Sequence, residues 1–194
     1  MNRAIFLDRD GVLNEDIDLL TRPDQLRILA AVPGALRRFH AAGFRLIVIT
    51  NQTVIARGLI TEVGLAEVHA ALSRQLVELG APTPDGYYAC PHHPQASVPE
   101  YRAACDCRKP APGLLLRAAR DHDIDTTRSF MIGDRPTDIL AGSRAGCRTV
   151  LVHTGCHEKP LITTHEKSLP EIRPDQVCAD LEAAADWILR GQSE

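Results

Sequence analysis

Short, mainly apolar runs at residues 4–7, 45–49, 129–132 and 148–152 alternate with segments of helical spacing, and nothing else in the chain limits its possible folds as strongly. Residues 32–42 repeat apolar side chains at helical intervals, with Pro33 near the start and Gly43 just beyond the end. Residues 61–79, 113–122, 137–145 and 180–189 read the same way, with Thr61 suited to cap the first of them and a weaker strand at 86–89. Strand, helix, strand in regular alternation implies an α/β fold with a doubly wound parallel sheet. A chain of 194 residues suffices for one such domain over 1–194, since chains of this size bury about 70% of the surface their unfolded form exposes. The gaps between strands hold no room for a large cap domain. Residues 91–110 form a long loop rich in Pro, Cys and His that needs an ordering device, and residues 157–175 read as a surface loop.

Open α/β sheets bind ligands beyond the carboxyl ends of their strands, so the residues there matter most. The first run ends in Asp8-Arg9-Asp10-Gly11, which puts two carboxylates two residues apart and therefore toward one side of an extended chain end. Such a pair can be a plain polar turn. It can also supply a nucleophile and, beside it, a group that gives a proton to a leaving oxygen and later takes one from water. The second run leads into Thr50-Asn51-Gln52, offering a hydroxyl and backbone N–H groups to phosphate oxygens, and the run at 129–132 leads into Gly133-Asp134. Asp134 gives a third carboxylate for a hard-oxygen Mg²⁺ site, and Lys109 brings a positive charge to a phosphate.

Six cysteines in a chain whose opening residues read as no secretory leader point to metal binding before disulfides. Cys90 and His92 form C-x-H, and Cys105 and Cys107 form C-x-C. Three thiolates and one imidazole make a closed tetrahedral Zn²⁺ site with no open position, which favours a structural role. His93 is a rival for His92, read more simply as a polar loop residue. Cys147, Cys156 and Cys178 lie outside the cluster and read as small buried residues.

Taken together, FLDRDGVLN at 6–14, VITN at 48–51, RKP at 108–110 and GDRPTD at 133–138 resemble the haloacid-dehalogenase-like phosphatases over nearly the whole chain. With IARG at 55–58, CPHHP at 90–94 and CDCRKPAPG at 105–113, the chain is most similar to the heptose bisphosphate phosphatases of that superfamily and their histidinol-phosphatase relatives. The resemblance implies a Mg²⁺-dependent phosphate monoester hydrolase working through an aspartyl-phosphate, with Asp8 as nucleophile and Asp10 as general acid/base. It implies Mg²⁺ on the side chains of Asp8 and Asp134 and the backbone carbonyl of Asp10, and Zn²⁺ on Cys90, His92, Cys105 and Cys107. Thr50, Asn51 and Lys109 would hold the phosphoryl group, with Arg9, Gln52, Thr53, Arg108 and Arg135 as further substrate contacts; Asp138 would orient Lys109 or a loop. The implied substrate is a small phosphorylated sugar on the way to lipopolysaccharide heptose. Where those enzymes usually carry Ser-Gly this chain has Thr53-Val54, where they carry Gly-Tyr it has Asp18-Leu19, and Val12 replaces a common Thr. These changes touch the substrate wall and spare the phosphoryl chemistry.

A net charge of −3 argues against a broad nucleic-acid-binding face and so against a strand-end phosphate as substrate. The opening residues MNRAIFLDRDG read as neither signal peptide nor membrane span, which makes the cytoplasm the expected compartment; a monomer is a separate expectation. Histidinol phosphate is the rival substrate. Outside enzymes, a receiver-like signalling domain would lack the acid/base at Asp10, and a zinc-organised binding module would tolerate loss of Asp8.

Overall fold

The computed structural model describes residues 1–155 and 173–191. Its strands are β1 (Arg3–Leu7), β2 (Phe44–Asn51), β3 (Gly86–Cys90), β4 (Phe130–Gly133), β5 (Arg148–Val152) and β6 (Gln176–Cys178). Its helices are α1 (Val32–Ala41), α2 (Thr53–Ala56), α3 (Glu62–Glu78), α4 (Gly113–Asp121), α5 (Pro136–Arg144) and α6 (Leu181–Arg190). The six strands form one parallel sheet in the order β3-β2-β1-β4-β5-β6. The chain steps outward from β1 through β2 to β3, then returns to the other flank of β1 with β4. This is the doubly wound arrangement, and its switch point lies between β1 and β4.

Alternation along each strand divides the core into two layers. Ile5, Leu7, Leu46, Val48, Phe130 and Ile132 face one side, where Leu36 and Phe39 of α1, Leu72 and Leu76 of α3, and Leu181 and Ile188 of α6 cover them. Ala4, Phe6, Ile47, Ile49 and Met131 face the other and meet Leu114, Leu115 and Ala118 of α4 and Ala141 of α5. Both faces are covered, so the strands read as continuous apolar runs. Among the described residues no cap domain interrupts the sheet, and no helix is long and apolar enough to cross a membrane.

The helix ends follow their expected chemistry. Thr61 caps α3 by accepting from the Gly64 N–H at 3.1 Å, and Asp180 caps α6 by accepting from the Ala183 N–H at 2.9 Å. β2 runs two residues further than its apolar stretch predicts, because Thr50 and Asn51 stay in register with Ala89 and Cys90 of β3. The four-residue α2 is too short to show a period in the sequence. Most of the surface loop expected at 157–175, and Cys156, lie outside the described residues; Cys147 and Cys178 are buried free thiols.

Asp18 stands with φ at 70°, in the left-handed region that favours glycine. Its amide donates to Asp16 Oδ1 at 2.9 Å, a local turn that an aspartate tolerates better than most residues. Asp18→Gly should therefore leave stability unchanged or raise it by about 0.5 kcal/mol, while the β-branched Asp18→Val should cost about 1–2 kcal/mol. Urea midpoints of the two variants check this; equal stability would mean that the turn relaxes without cost.

Candidate active site

Asp8 follows β1 directly, and its N–H donates to the Ile132 carbonyl of β4 at 3.0 Å, which fixes it at the switch point. Lys109 arrives from the loop before α4 and is 3% exposed. Its ammonium lies 2.9 Å from Asp8 Oδ1, 2.6 Å from Asp138 Oδ1 and donates to the Ile49 carbonyl at 2.9 Å. Asn51 secures the backbone of Lys109, accepting from its N–H at 3.0 Å and donating to its carbonyl at 3.1 Å. Asp138 belongs to the first turn of α5, and its Oδ2 accepts from the Arg135 N–H at 3.0 Å. A Cβ at Gly133 would come within 2.1 Å of the Asp138 Cβ, so only glycine allows Asp138 to reach inward here.

Burial makes these charges interdependent. It pushes the Asp8 carboxyl up to about 7, against the pull of Lys109 and with help from Asp138, Asp134 and Asp10. Burial also works to lower Lys109, but the carboxylates of Asp138 and Asp8 outweigh it and hold the ammonium above its ordinary value.

Asp8, Asp134 and Asp138 bring carboxylate oxygens within 4.8 Å of one another. Asp134 is fully buried, with Gly11 and Gly155 packed so closely that a Cβ at either would strike its carboxylate. Three buried acids around one lysine carry excess negative charge, and hard oxygen donors suit a cation such as Mg²⁺. Since Lys109 and the helix cap engage Asp138, Asp8 and Asp134 are the better placed donors for it.

Asp10 is held on both oxygens. Arg9 donates from Nε to Oδ1 at 3.1 Å and from Nη2 to Oδ2 at 2.8 Å, Asn14 donates to Oδ1 at 2.9 Å, and Gln52 donates to Oδ2 at 3.0 Å. Burial tends to raise its pKa, yet the Arg9 charge and these hydrogen bonds prevail and hold it below the ordinary carboxylate range. Two expected substrate contacts are thereby corrected. Arg9 is 1% exposed and turns its fork onto Asp10 and Gln52, because the alternation that aims Asp8 and Asp10 into the cleft aims Arg9 away from it. Gln52 is likewise buried, donating to Asp10 and to Thr50 Oγ1 at 2.8 Å. Neither lines the cleft.

Thr50, Asn51, Thr53, Arg108, Lys109 and Arg135 do line it, together with Asp8 and Asp10. So do Asp16, Asp18, Arg57 and His93, which sequence reasoning did not place there. The IARG motif could have pointed to Arg57, and the loop departure to Asp18. Asp16 pairs with Arg135 at 3.3 Å and joins the loop after β1 to the end of β4, a long-range contact with no local signature.

Next in the chain to His93 and Arg108 of the cleft wall are Cys90, His92, Cys105 and Cys107, with one donor atom from each inside the same 4.8 Å limit. The sulfurs are 3.0 to 3.6 Å apart, and His92 Nδ1 lies 3.4 Å from Cys107 Sγ. A disulfide needs about 2.05 Å. A tetrahedral Zn²⁺ with Zn–S bonds of about 2.3 Å sets its sulfurs roughly 3.8 Å apart, so the quartet suits a tetrahedral soft cation and only slight expansion is required. His93 is turned elsewhere, its Nδ1 accepting from the Gln95 N–H at 3.1 Å. The neighbouring Arg108 donates to the His92 carbonyl at 3.3 Å, which ties the cleft wall to the quartet.

A doubly wound sheet with Asp-x-Asp after β1, Thr-Asn after β2, a buried lysine and Gly-Asp after β4 is that of a HAD-type phosphatase, and the HAD-hydrolase-like family profile matches residues 106–184. Close relatives sharpen the class. The chain is 39% identical over 192 residues to D-glycero-β-D-manno-heptose-1,7-bisphosphate 7-phosphatase of Yersinia pestis, covering 98% of this chain and 92% of that protein. With the enzyme of the same name from Escherichia coli K12 it shares 40% over 193 residues, covering 98% and 90%. The crystal structure of D,D-heptose 1,7-bisphosphate phosphatase from B. bronchiseptica, complexed with magnesium and phosphate, superposes with a TM-score of 0.81 at 35% identity, over 97% of this chain and 99% of that one. The chain belongs to this family of HAD phosphatases.

Proposed function

We propose that the chain removes the 7-phosphate of D-glycero-β-D-manno-heptose 1,7-bisphosphate, with Asp8 as nucleophile and Asp10 as general acid/base. The observation that carries the reading is the meeting of Asp8 and Lys109, 2.9 Å apart, at the switch point of the sheet. An anionic nucleophile and an anionic phosphate oxygen about 4 Å apart repel by ~1 kcal/mol in water and ~4 kcal/mol at an effective dielectric near 20. Attack therefore needs positive charge already in place, and a buried ammonium supplies part of it.

In the first half-reaction an Asp8 carboxylate oxygen bonds to phosphorus as the ester P–O bond breaks. Asp10, which rests as a carboxylate, takes up a proton from solvent as substrate binds and gives that proton to the departing sugar oxygen. In the second, water bonds to phosphorus and gives its proton to Asp10 as the bond to Asp8 breaks, which restores both carboxyls and frees phosphate. Thr50 and the backbone around Asn51 orient the phosphoryl oxygens, and Lys109 neutralises them. Asp8, Asp134 and the Asp10 carbonyl would hold Mg²⁺, which when bound supplies the remaining positive charge against the phosphoryl group. Cys90, His92, Cys105 and Cys107 would hold Zn²⁺ in a structural role, in an enzyme we place in the cytoplasm as a single domain and a monomer.

The substrate assignment is supported by the names of the relatives and by the cleft itself. Arg57, Arg108 and His93 line it beyond the phosphoryl-binding residues, and a bisphosphate gives them a second anion to meet. Histidinol phosphate, with one phosphate and a cationic amine, would set like charges together. Kinetics on both anomers of the heptose bisphosphate and on histidinol phosphate should give a kcat/KM at least about a hundredfold higher for the favoured bisphosphate, as expected when a charged pocket is left unpaired by the poorer substrate. Equal or better turnover of histidinol phosphate would overturn the substrate and leave the reaction standing.

A further inference from the structure

Arg9 has one more neighbour. Its Nη1 lies 3.4 Å from Nε2 of His69, a buried residue of α3 sixty positions along the chain. A guanidinium has donors and no acceptor, so the contact works only if Nε2 carries a lone pair and the ring proton sits on Nδ1. The surroundings enforce that state. Burial first, and the Arg9 charge second, bring the His69 pKa down to about 3 against a weaker pull from Asp10, so the ring is neutral.

Its orientation is equally constrained. The ring stacks on Tyr87 of β3 with centroids 4.5 Å apart and planes 14° from parallel, and the Tyr87 hydroxyl meets Ser73 Oγ, one turn along α3, at 2.8 Å. A continuous chain of contacts thus runs from the helix to the strand-end carboxylate, through His69, Arg9 and Asp10. Each Arg9 nitrogen has a partner along it: Nε and Nη2 on the Asp10 oxygens, Nη2 also on Gln52 Oε1, and Nη1 on His69.

We propose that His69 is a positioning residue for the proton-transfer steps: by accepting at Nε2 it fixes the Arg9 fork, and the fork fixes the plane of the Asp10 carboxylate. The inference rests on the acid/base role given above to Asp10. A bidentate fork specifies both oxygens of a carboxylate at once, whereas a fork free to swing specifies neither. Proton transfer is sensitive to such placement, since an error of about 1 Å costs on the order of a hundredfold in rate. Substrate binding is not, because the Arg9 and His69 side chains lie outside the cleft.

Two measurements test it. In metal-free, isotopically labelled protein, long-range proton–nitrogen spectra of the histidine rings should show His69 protonated on Nδ1; a proton on Nε2 overturns the inference without any assay. In steady-state kinetics, His69→Phe keeps the ring stack and loses the acceptor, and it should lower kcat by roughly 10- to 100-fold with KM within about twofold. His69→Gln restores an acceptor and should return kcat to within about threefold of the native value. A folded His69→Phe with native kcat, or a His69→Gln as slow as His69→Phe, removes the proposal. Should the phenylalanine variant not fold, a kcat more than tenfold low in His69→Gln removes it instead. Asp10→Asn run alongside separates the two readings: native turnover there sinks the acid/base role and this inference with it, whereas a dead Asp10→Asn beside an unimpaired His69→Phe sinks the inference alone.

Discussion

Asp8→Asn should lose turnover by a factor on the order of 10⁴ or more, with the protein still folded. The amide keeps the shape of the side chain and its place after β1, but it has no carboxylate to bond to phosphorus. The residual groups that bind and neutralise the phosphoryl site do not substitute for a nucleophile. Stability separates this explanation from simple damage. Burial pushes the Asp8 carboxyl from 3.8 up to about 7, so the folded state holds its proton more tightly than the unfolded chain does. An acid shifted in that direction favours folding below pH ~4, and its contribution is lost as pH rises through about 7. Asparagine has nothing to lose over that window. Metal-free Asp8→Asn should therefore melt no lower than the native chain at pH 8, with a smaller fall in Tm between pH 5 and 8. Native-level phosphate release by the variant would refute Asp8 as nucleophile, and a lower Tm at pH 8 would show that its charge is better compensated than the ring of acids around it implies.

That the carboxylate proposed as nucleophile should weaken its own fold accords with how clearly the sequence discloses this residue. Asp8 and Asp10 stand where an apolar strand would sooner end in a neutral turn, and local pattern reasoning stops at the anomaly. The same is true of Thr50, Asn51 and Asp134, each one step past a buried run, and of the Cys90, His92, Cys105 and Cys107 spacing. Residues whose task is set by distant partners are less visible. Arg9 carries the charge expected of a phosphate contact, and only its odd place between Asp8 and Asp10 hints that it faces inward. Its partners Gln52 and His69 lie 43 and 60 positions away. Asp16 and Arg135 are 119 apart, and no period or motif joins them. Gln52 misleads for another reason: alternation would put it on the side of Thr50, but β2 ends at Asn51 and the chain turns into α2. The four inner strands were legible because each is an apolar run; the edge strands β3 and β6 are only partly buried and carry a weaker pattern. The braces behind the site were not, because their logic exists only after the sheet has brought helix α3 against the end of β1.

Removal of the zinc proposed for the quartet should act on substrate affinity more than on the chemical step, because the two basic residues after the quartet are anchored differently. Lys109 is tied to Asp8, Asp138, Ile49 and Asn51, all on or beside the sheet, and these ties do not involve the cysteines. Arg108 leans on the His92 carbonyl, and His93 on Gln95 and the Tyr101 carbonyl, all within the loop that the quartet closes. Ordering roughly a dozen loop residues costs on the order of 1 kcal/mol each, and structural Zn²⁺ typically returns about 10–16 kcal/mol, so the two nearly cancel and the loop has little to hold it without metal. Chelated protein, or Cys105→Ser, should then lose amide protection across residues 92–107 while the strands keep theirs. KM for the bisphosphate should rise about tenfold or more, and kcat should fall by a smaller factor. If metal analysis shows zinc gone while KM stays at its native value, the quartet does not hold the cleft wall. If kcat falls further than KM rises, Lys109 depends on the loop more than its sheet contacts indicate.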